Sequence, residues 1–352
     1  MNAALLPDRA IVVGINWYPR FGDEGNSKNL EGPVYDATEM AKWLREAAGA
    51  HVTLITSQGV VTSKGDGEKR WTVQDLRPER GDVEPAFSEL IVESLDLQDR
   101  NLPSRLGRRL YIYMAGHGFS PEARSLSLIT AEAVRDIIVP NIEATAWVDW
   151  FANQLHFDEI VLWMDCCATR TFNYPSGKPL LKKTAAREDG RAKVFMGFAS
   201  SPATETFEAK GPDGQVRGLF TERLLRGLKG HAADEQNNVT TSSLIKYMQN
   251  SSAVVGTETA STGEKPLPQT KFYERDEMLL ATVLVPSYTL LVPVAAGKKL
   301  RVKRDSKEIA AVEVKDGKVV LPLTPGLFTA VAQGFSKSFE IGSGGTDHVD
   351  LR

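Results

Sequence analysis

The chain has 352 residues, of which 42% are hydrophobic and 25% are charged, and its formal net charge is -3. This composition is typical of a globular protein, and the length exceeds one typical domain, so we expect two domains. The Lys and Arg residues are dispersed without a basic excess, which argues against nucleic acid as a partner. No apolar run reaches the roughly 18 residues that cross a bilayer, and the opening residues do not resemble a signal peptide, so we expect a cytoplasmic protein without a membrane partner.

Short runs rich in Val, Ile and Leu recur through the first part of the chain and indicate buried strands. They are Arg9 to Asn16, Val52 to Ser57, Arg109 to Ala115, Glu159 to Met164 and Lys193 to Ser200. Segments with helical periodicity alternate with them, at Gly32 to Gly49, Glu143 to Phe157 and Gly218 to Gly230. This alternation predicts an α/β fold, a three-layer sandwich with a mostly parallel central sheet.

The pattern changes near the end of the chain, where short strand-like runs and turn residues replace helical segments. Asp316-Gly317 is typical of a two-residue hairpin turn between two of these runs. We therefore predict a first domain at residues 1–282 and a small all-β domain, a β-sandwich, at residues 283–352. Residues 250–269, rich in Ser, Thr, Gly and Pro, are predicted to form a loop.

The first candidate for chemistry is the run RRLYIYMAGHG, which ends in Gly116-His117-Gly118. The sites of α/β proteins lie at the carboxyl ends of parallel strands, which is where His117 is predicted to stand. Glycine leaves the backbone open to a substrate, and the Gly118 N–H is a candidate donor to an oxyanion. A lone His is more often a structural residue, which is our interpretation of the other four histidines.

The second candidate is EIVLWMDCCATR, a predicted strand whose end carries Asp165, Cys166 and Cys167. These are the two cysteines of the chain, and their adjacency rules out a disulfide framework and a zinc site built on separated Cys pairs. A thiol becomes a strong nucleophile when an imidazole takes or holds its proton. A single cysteine at a strand end is otherwise a packing residue, but a His and a Cys at two strand ends favour catalysis.

Five segments resemble the caspase and metacaspase superfamily of cysteine proteases and keep its order. They are VVGINWY from Val12, LEGPVYDATEMAKWL from Leu30, YMAGHGFS from Tyr113, WMDCCATR from Trp163 and GLFTERLLRGL from Gly218. The metacaspase pattern, an Asp and one residue before the active cysteine, implies Cys167 as the nucleophile and His117 as its general base. Strand alternation agrees, since positions 165 and 167 point the same way, and it makes Cys166 a packing residue. Residues 1–282 are then a caspase-like peptidase domain.

The resemblance also implies a substrate preference. In metacaspases an acidic residue of the first helix and the Asp two residues before the nucleophile line the primary specificity pocket, and the matching positions are Asp36 and Asp165. Two carboxylates favour a guanidinium or ammonium group, which implies a protein or peptide substrate with Arg or Lys before the cleaved bond. The alternative interpretation of Asp36 is charge complementarity at a helix N-terminus.

The sequence departs from the metacaspase pattern at several positions. Ala168-Thr169-Arg170 follows the nucleophile in place of His-Ser-Gly, and Pro33 and Ala115 replace small polar residues near the pocket. Calcium-dependent metacaspases carry an acidic pair where this chain has Pro140-Asn141. Because Ca²⁺ needs several oxygen ligands, this difference argues against calcium activation, and we expect neither a metal nor a cofactor.

The loop after the nucleophile, residues 169–191, is rich in Lys and Arg. It is either a solvated surface loop or the processing site of a zymogen, cut by the protein itself or by an upstream activating protease.

Together these features predict a cysteine endopeptidase with a His117/Cys167 dyad, in which the amides of Gly118 and Cys167 stabilise the oxyanion. Relatives in bacteria act in stress, death and antiphage responses, so the resemblance implies a regulated signalling or defence protease. One alternative is a catalytically inactive adaptor or scaffold, which the C-terminal β module favours and the retained site residues disfavour. Another is a non-peptidase α/β hydrolase or transferase that uses the same Cys and His.

Overall fold

A computed structural model describes residues 7–18, 20–23, 26–57, 59–64, 67–71, 78–120, 122, 125–135, 137, 139–154, 156–166, 175–179, 190–199, 208–211, 213–249, 270–285, 287–342 and 348–352. The chain forms two compact units, which we call unit 1 (residues 1–223 and 249–278) and unit 2 (residues 224–248 and 279–352). Residues 224–248 and 279–282 belong to unit 2 although the predicted boundary lies at 282/283, and that domain boundary stays a prediction. The predicted loop at 250–269 and the predicted nucleophile Cys167 lie outside the described residues.

The helices and strands follow one another in chain order. The first part of the chain contains β1 (Arg9–Gly14), β2 (Gly22–Asp23), β3 (Asn26–Ser27), α1 (Pro33–Glu46), β4 (His51–Thr56), β5 (Gly59–Lys64), β6 (Gly67–Trp71), α2 (Arg80–Asp99), β7 (Arg109–Ala115), β8 (Gly118–Phe119), β9 (Ser127–Ile129), β10 (Asn141–Glu143), α3 (Ala144–Gln154), β11 (Glu159–Asp165), β12 (Lys193–Phe198), β13 (Glu208–Lys210) and β14 (Val216–Gly218). The second part contains α4 (Leu219–Arg226), a π-helical turn (Gly227–His231), β15 (Asn238–Thr240), α5 (Thr241–Gln249), β16 (Lys271–Arg275), β17 (Leu279–Thr282), β18 (Ser287–Leu291), β19 (Lys299–Arg304), β20 (Lys307–Glu313), β21 (Lys318–Pro322), β22 (Gly326–Ala332), β23 (Phe335–Ile341) and β24 (His348–Asp350).

Unit 1 is built on an eight-stranded sheet in the order β16-β12-β11-β7-β1-β4-β5-β6. Its five central strands, β12 to β4, run parallel, and they are the five strands that the sequence predicts. The outer strands, β16 on one side and β5 and β6 on the other, are antiparallel to their neighbours. The predicted mostly parallel α/β sheet is therefore confirmed.

The strands of unit 1 bury both faces, which makes the unit a three-layer sandwich. On β11, the side chains of Leu162 and Met164 join the core cluster that contains residues of α2 and α3. Trp163 points to the opposite face, where its ring packs edge-on against Trp43 of α1, with ring centroids 6.3 Å apart. The same alternation carries Asp165 to the α1 face and Cys166 into the α2/α3 core.

The β strands at the end of unit 2 form two sheets, β21-β18-β24 and β20-β19-β22-β23, whose inward side chains share one hydrophobic core. This arrangement agrees with the predicted small β-sandwich. Asp316 and Gly317 have positive φ angles of 48° and 69°, as a tight turn requires. The predicted hairpin turn is present, since Lys315 and Lys318 form an antiparallel bridge with two backbone hydrogen bonds of 3.0 and 2.8 Å. The pairing does not continue along the strands, because β20 pairs with β19 and β21 pairs with β18, so the turn connects two different sheets.

None of the helices in the described part of the chain is long and apolar enough to span a membrane.

Candidate active site

The ends of β7 and β11 are joined at the carboxyl edge of the unit 1 sheet. The Gly116 N–H donates to the Asp165 carbonyl oxygen over 3.2 Å. Gly116 has a φ angle of 152°, and a Cβ at this position would overlap the Tyr18 hydroxyl, so glycine is required on both counts. The turn at Gly116 therefore brings His117 to the sheet edge directly beside the end of β11, which precedes the predicted nucleophile.

Tyr18 holds the backbone and the ring of His117. Its hydroxyl accepts a hydrogen bond from the His117 N–H over 3.0 Å and donates to the Ile129 carbonyl oxygen over 3.2 Å. The Tyr18 ring lies edge-on to the imidazole at a centroid distance of 4.8 Å, and Phe21 does the same at 5.5 Å. Tyr18 is fully buried, so its contacts hold the His117 imidazole in one position.

Among the residues that the structure describes, the polar partner of the His117 imidazole is the backbone carbonyl of Lys28, 2.7 Å from Nε2. A carbonyl oxygen only accepts hydrogen bonds, so Nε2 must carry the hydrogen, and in the neutral ring Nδ1 keeps its lone pair. The short β2–β3 hairpin presents this carbonyl, since the Lys28 N–H donates to the Phe21 oxygen over 2.9 Å. Burial, and secondarily the Lys28 charge, lower the pKa of His117 below its ordinary value of 6.5, which favours a neutral base.

Gly118 lies opposite Leu128 in the antiparallel pair β8–β9. One residue earlier, the Ile129 N–H donates a hydrogen bond to the His117 carbonyl oxygen over 2.8 Å. Because hydrogen-bonded and non-hydrogen-bonded pairs alternate along antiparallel strands, the Gly118 N–H points away from β9. A Cβ at position 118 would lie 2.6 Å from the Cys166 Sγ, so this close approach requires glycine. Cys166 itself is fully buried in the unit 1 core, in agreement with its predicted packing role.

Asp36, in the first turn of α1, and Asp165, at the end of β11, are both buried and lie on either side of Gly218. The Gly218 N–H donates to Asp36 Oδ2 over 2.7 Å. A Cβ at position 218 would overlap Asp165 Oδ2 and lie 3.0 Å from Asp36 Oδ2. The two predicted specificity carboxylates are thus neighbours, and position 218 must be glycine because any side chain there would overlap them.

Burial makes this carboxylate pair hold a proton. Burial and the neighbouring Asp165 charge raise the pKa of Asp36 to about 9. Burial also raises the pKa of Asp165, but two hydrogen bonds from Thr221 oppose this effect and the value reaches only about 6. Near neutral pH the pair as a whole therefore holds one proton, which Asp36 retains more strongly than Asp165, and a nearby cation would favour loss of that proton.

Two further charged residues stand beside the pair, on the hairpin formed by β13 and β14. The Glu208 carboxylate accepts the Gly32 N–H over 2.8 Å and so caps the N-terminus of α1 from another element. The Arg217 guanidinium lies 5.0 Å from the centre of the Tyr35 ring and forms an ion pair with Asp213. Sequence reasoning gave neither Glu208 nor Arg217 a role.

The described middle of the 169–191 loop, residues 175–179, is fixed to β10. The Asn141 side-chain amide donates to the Pro175 oxygen over 3.1 Å and accepts the Gly177 N–H over 2.7 Å. The Glu143 N–H donates to the Gly177 oxygen over 3.3 Å, and a Cβ on Gly177 would overlap the Asn141 backbone. Asn141 therefore serves as a structural anchor for the loop. In the described ranges, no group of three or more His, Cys, Asp or Glu residues is arranged to hold a metal ion.

His117, Gly118, Asp36 and Asp165 all lie at the carboxyl edge of the central strands, whereas Cys167 falls outside the described residues. The sequence interpretation missed the roles of Tyr18, the Lys28 carbonyl and Thr221. Two of these residues lie in segments that carry the family resemblance, VVGINWY and GLFTERLLRGL, and that position is the signal that was available.

The family model described as Caspase domain matches residues 7–277, which is most of the chain. The chain therefore belongs to the caspase domain family, a family of cysteine proteases.

A probable protease of a Desulfuromonadales bacterium is 24% identical over 258 residues, which cover 68% of this chain and 29% of that protein. The chain thus spans less than a third of the length of this curated relative. A Geobacter sulfurreducens protein solved as a structural genomics target has 13% identity and a TM-score of 0.44, covering 76% of this chain and 93% of its own. Caspase-1 of Spodoptera frugiperda has 11% identity and a TM-score of 0.43, covering 76% of this chain and 86% of its own.

Proposed function

We propose that this chain is a cysteine endopeptidase that cleaves proteins after Arg or Lys, with a His117/Cys167 dyad. The observation that carries the proposal is the buried pair formed by Asp36 and Asp165. The backbone carbonyl of Asp165 accepts a hydrogen bond from the N–H of Gly116, the residue next to His117. Two adjacent buried carboxylates are unfavourable in an empty site unless a proton or a cation compensates their charge. A site that binds a cationic side chain gives this arrangement a purpose.

In this mechanism, Nδ1 of neutral His117 takes the proton of the Cys167 thiol, while Nε2–H stays bound to the Lys28 carbonyl. The thiolate forms a bond to the peptide carbonyl carbon, and the negative charge moves to the carbonyl oxygen. The amides of Gly118 and Cys167 stabilise that oxyanion. His117 then gives its proton to the leaving amine as the C–N bond breaks, and water activated by His117 hydrolyses the acyl-enzyme.

The carboxylate pair selects the side chain before the cleaved bond. Arg is favoured over Lys, because a planar guanidinium can donate to two carboxylates at once. Binding releases the proton that the empty pair holds, so KM is expected to fall as the pH rises from 6 toward 9, the range set by the pKa values of Asp165 and Asp36.

Regulation by processing belongs to the same proposal. Residues 175–179 are anchored by Asn141, and basic residues occur on both sides of this anchor in the 169–191 loop. Cleavage after Lys182, Lys183 or Arg187, by the protein itself or by an upstream protease, would leave the anchor attached to the Cys167 side. The curated relative contains a matching segment as less than a third of its length, which supports a role of this domain as one part of a regulated protease. For the whole protein we propose a function in signalling or antiphage defence.

The test is hydrolysis of a fluorogenic peptide with Arg before the reporter group, by wild type, Cys167→Ala and His117→Ala. The proposal expects turnover by wild type and a loss of about 10²-fold or more in each variant. Intact-mass analysis of the same samples reports self-cleavage. If no processed or unprocessed form of the wild type cleaves any peptide, the chain is an adaptor or scaffold and not a protease.

A further inference from the structure

Thr221, in the first turn of α4, makes three hydrogen bonds although it is fully buried. Its N–H donates to Asp165 Oδ2 over 3.1 Å, and its hydroxyl donates to the same oxygen over 2.6 Å. The hydroxyl also lies 2.6 Å from the Tyr113 hydroxyl. A threonine hydroxyl has one hydrogen, which Asp165 takes, so Tyr113 must be the donor in the third bond.

All donors in this chain of contacts therefore point toward Asp165. Tyr113 is fully buried, and burial together with the nearby carboxylates raises the pKa of its phenol, so it keeps its hydrogen at any working pH. Tyr113 orients Thr221, and Thr221 gives both of its hydrogens to one carboxylate oxygen. The N-terminal end of α4 adds a favourable helix dipole at that oxygen.

Asp36 has a weaker set of donors. The described contacts give it a single donor, the Gly218 N–H, whereas Asp165 receives two from Thr221. Hydrogen bonds to the charged form of a carboxyl stabilise that form. This difference in hydrogen-bond donors favours the ionised form of Asp165 over the ionised form of Asp36.

We propose that Thr221, oriented by Tyr113, is the positioning residue that keeps Asp165 ionised and aimed as the recognition carboxylate for a guanidinium or ammonium group; this rests on the proposed specificity of the site. Thr221 does not touch the substrate. Its role is distinct from a structural one because it sets the charge of Asp165, which is visible in the pH dependence of cation binding.

The charged and titratable groups around Asp165 come from several elements. They are Asp36 on α1, Tyr113 on β7, Cys166 after β11, Glu208 on β13 and Arg217 on β14. Removal of the Thr221 hydroxyl substitutes none of these residues, although Tyr113 loses its hydrogen-bond acceptor. A shift of the pH profile that Thr221→Ser reverses therefore reports the lost donor to Asp165.

The experiment compares Thr221→Val, which is nearly isosteric but has no hydroxyl, with Thr221→Ser, which keeps it. KM and kcat for an Arg peptide are measured from pH 5 to pH 9, and binding of agmatine, a small guanidinium probe, is measured by calorimetry. For Thr221→Val we expect KM and the agmatine Kd to rise about 10-fold at pH 7, with kcat within about 2-fold of wild type. The acid limb of 1/KM should move about one pH unit higher, and Thr221→Ser should restore both.

Tyr113→Phe is the second variant, needed if Thr221→Val fails to fold. It removes only the donor that orients Thr221, and we expect about a 3-fold rise in KM with the same direction of pH shift. Equal profiles for Thr221→Val, Tyr113→Phe and wild type would overturn the role of Thr221 while leaving the specificity proposal intact. A wild type that neither cleaves the Arg peptide nor binds agmatine would overturn the specificity proposal, and the role of Thr221 with it.

Discussion

Replacement of Asp36 by Asn is expected to make the protein more stable and less active. The carboxyl of Asp36 has an ordinary pKa of 3.8, which burial and Asp165 raise to about 9 in the folded protein. The folded state therefore holds a proton that the unfolded chain loses, and stability falls as the pH rises from 3.8 toward 9. Holding that proton at pH 7 opposes folding by on the order of 4 kcal/mol at most. Asn removes this contribution and keeps an acceptor for the Gly218 N–H, so we expect a net gain of about 2 kcal/mol.

The loss of activity in Asp36→Asn has a separate origin. A guanidinium that pairs with both Asp36 and Asp165 would lose one of its two buried partners, which corresponds to about 3 kcal/mol and more than 100-fold in kcat/KM for an Arg peptide. Thermal unfolding at pH 5 and pH 8 measures the first effect, and the stabilisation should be larger at pH 8. Glu46→Gln, on the exposed end of the same helix, is the control. A variant less stable than wild type at pH 8, or one with unchanged kcat/KM, would refute this reasoning.

Three further outcomes follow from the geometry. With saturating Arg peptide, kcat should fall only when the pH drops below 6.5, because burial lowers the pKa of His117; an acid limb above 6.5 would contradict a buried neutral base. Tyr18→Phe removes the hydroxyl that bridges the His117 N–H and the Ile129 oxygen. We expect chemical denaturation to show a loss of about 1–3 kcal/mol in stability, and kinetics to show a reduced kcat with little change in KM. A fully active variant would argue against this role of Tyr18. Gly177→Ala should release residues 175–179 from Asn141 and speed proteolysis in the 169–191 loop, as measured by limited trypsin digestion of a Cys167→Ala background, whereas Gly342→Ala, which meets no neighbour, should not.

The parallel strands were predictable because each is a short apolar run with turn or helix signals at its ends, and β7 was placed to the residue. The prediction missed α2, although its buried residues Val83, Phe87 and Leu90 follow helical spacing. Pro85 inside the helix and the exposed apolar residues Val92 and Leu95 make that pattern less distinct in the sequence. The sequence prediction also paired β20 with β21 through the Asp316-Gly317 turn. The turn itself is present, but the two strands belong to different sheets. Turn residues determine the backbone at two positions, whereas the choice of sheet depends on packing between distant strands.

Within the site, residues that carry chemistry on their side chains could be found from the sequence, and His117, Asp36 and Asp165 do lie at one sheet edge. The Lys28 carbonyl could not be found, because a backbone acceptor has no residue signature and its approach to His117 depends on the β2–β3 hairpin. Thr221 and Tyr113 were equally hidden, since buried hydroxyls acquire a role only from the carboxylate that they meet.

The most direct test of cleavage after basic residues is to digest a peptide library with wild type and with Cys167→Ala and to identify the new termini by mass spectrometry. The account predicts cuts after Arg, and less often Lys, in the wild-type sample and none in the Cys167→Ala sample. Cuts after Asp, cuts without a preferred residue, or equal cleavage by both proteins would contradict it.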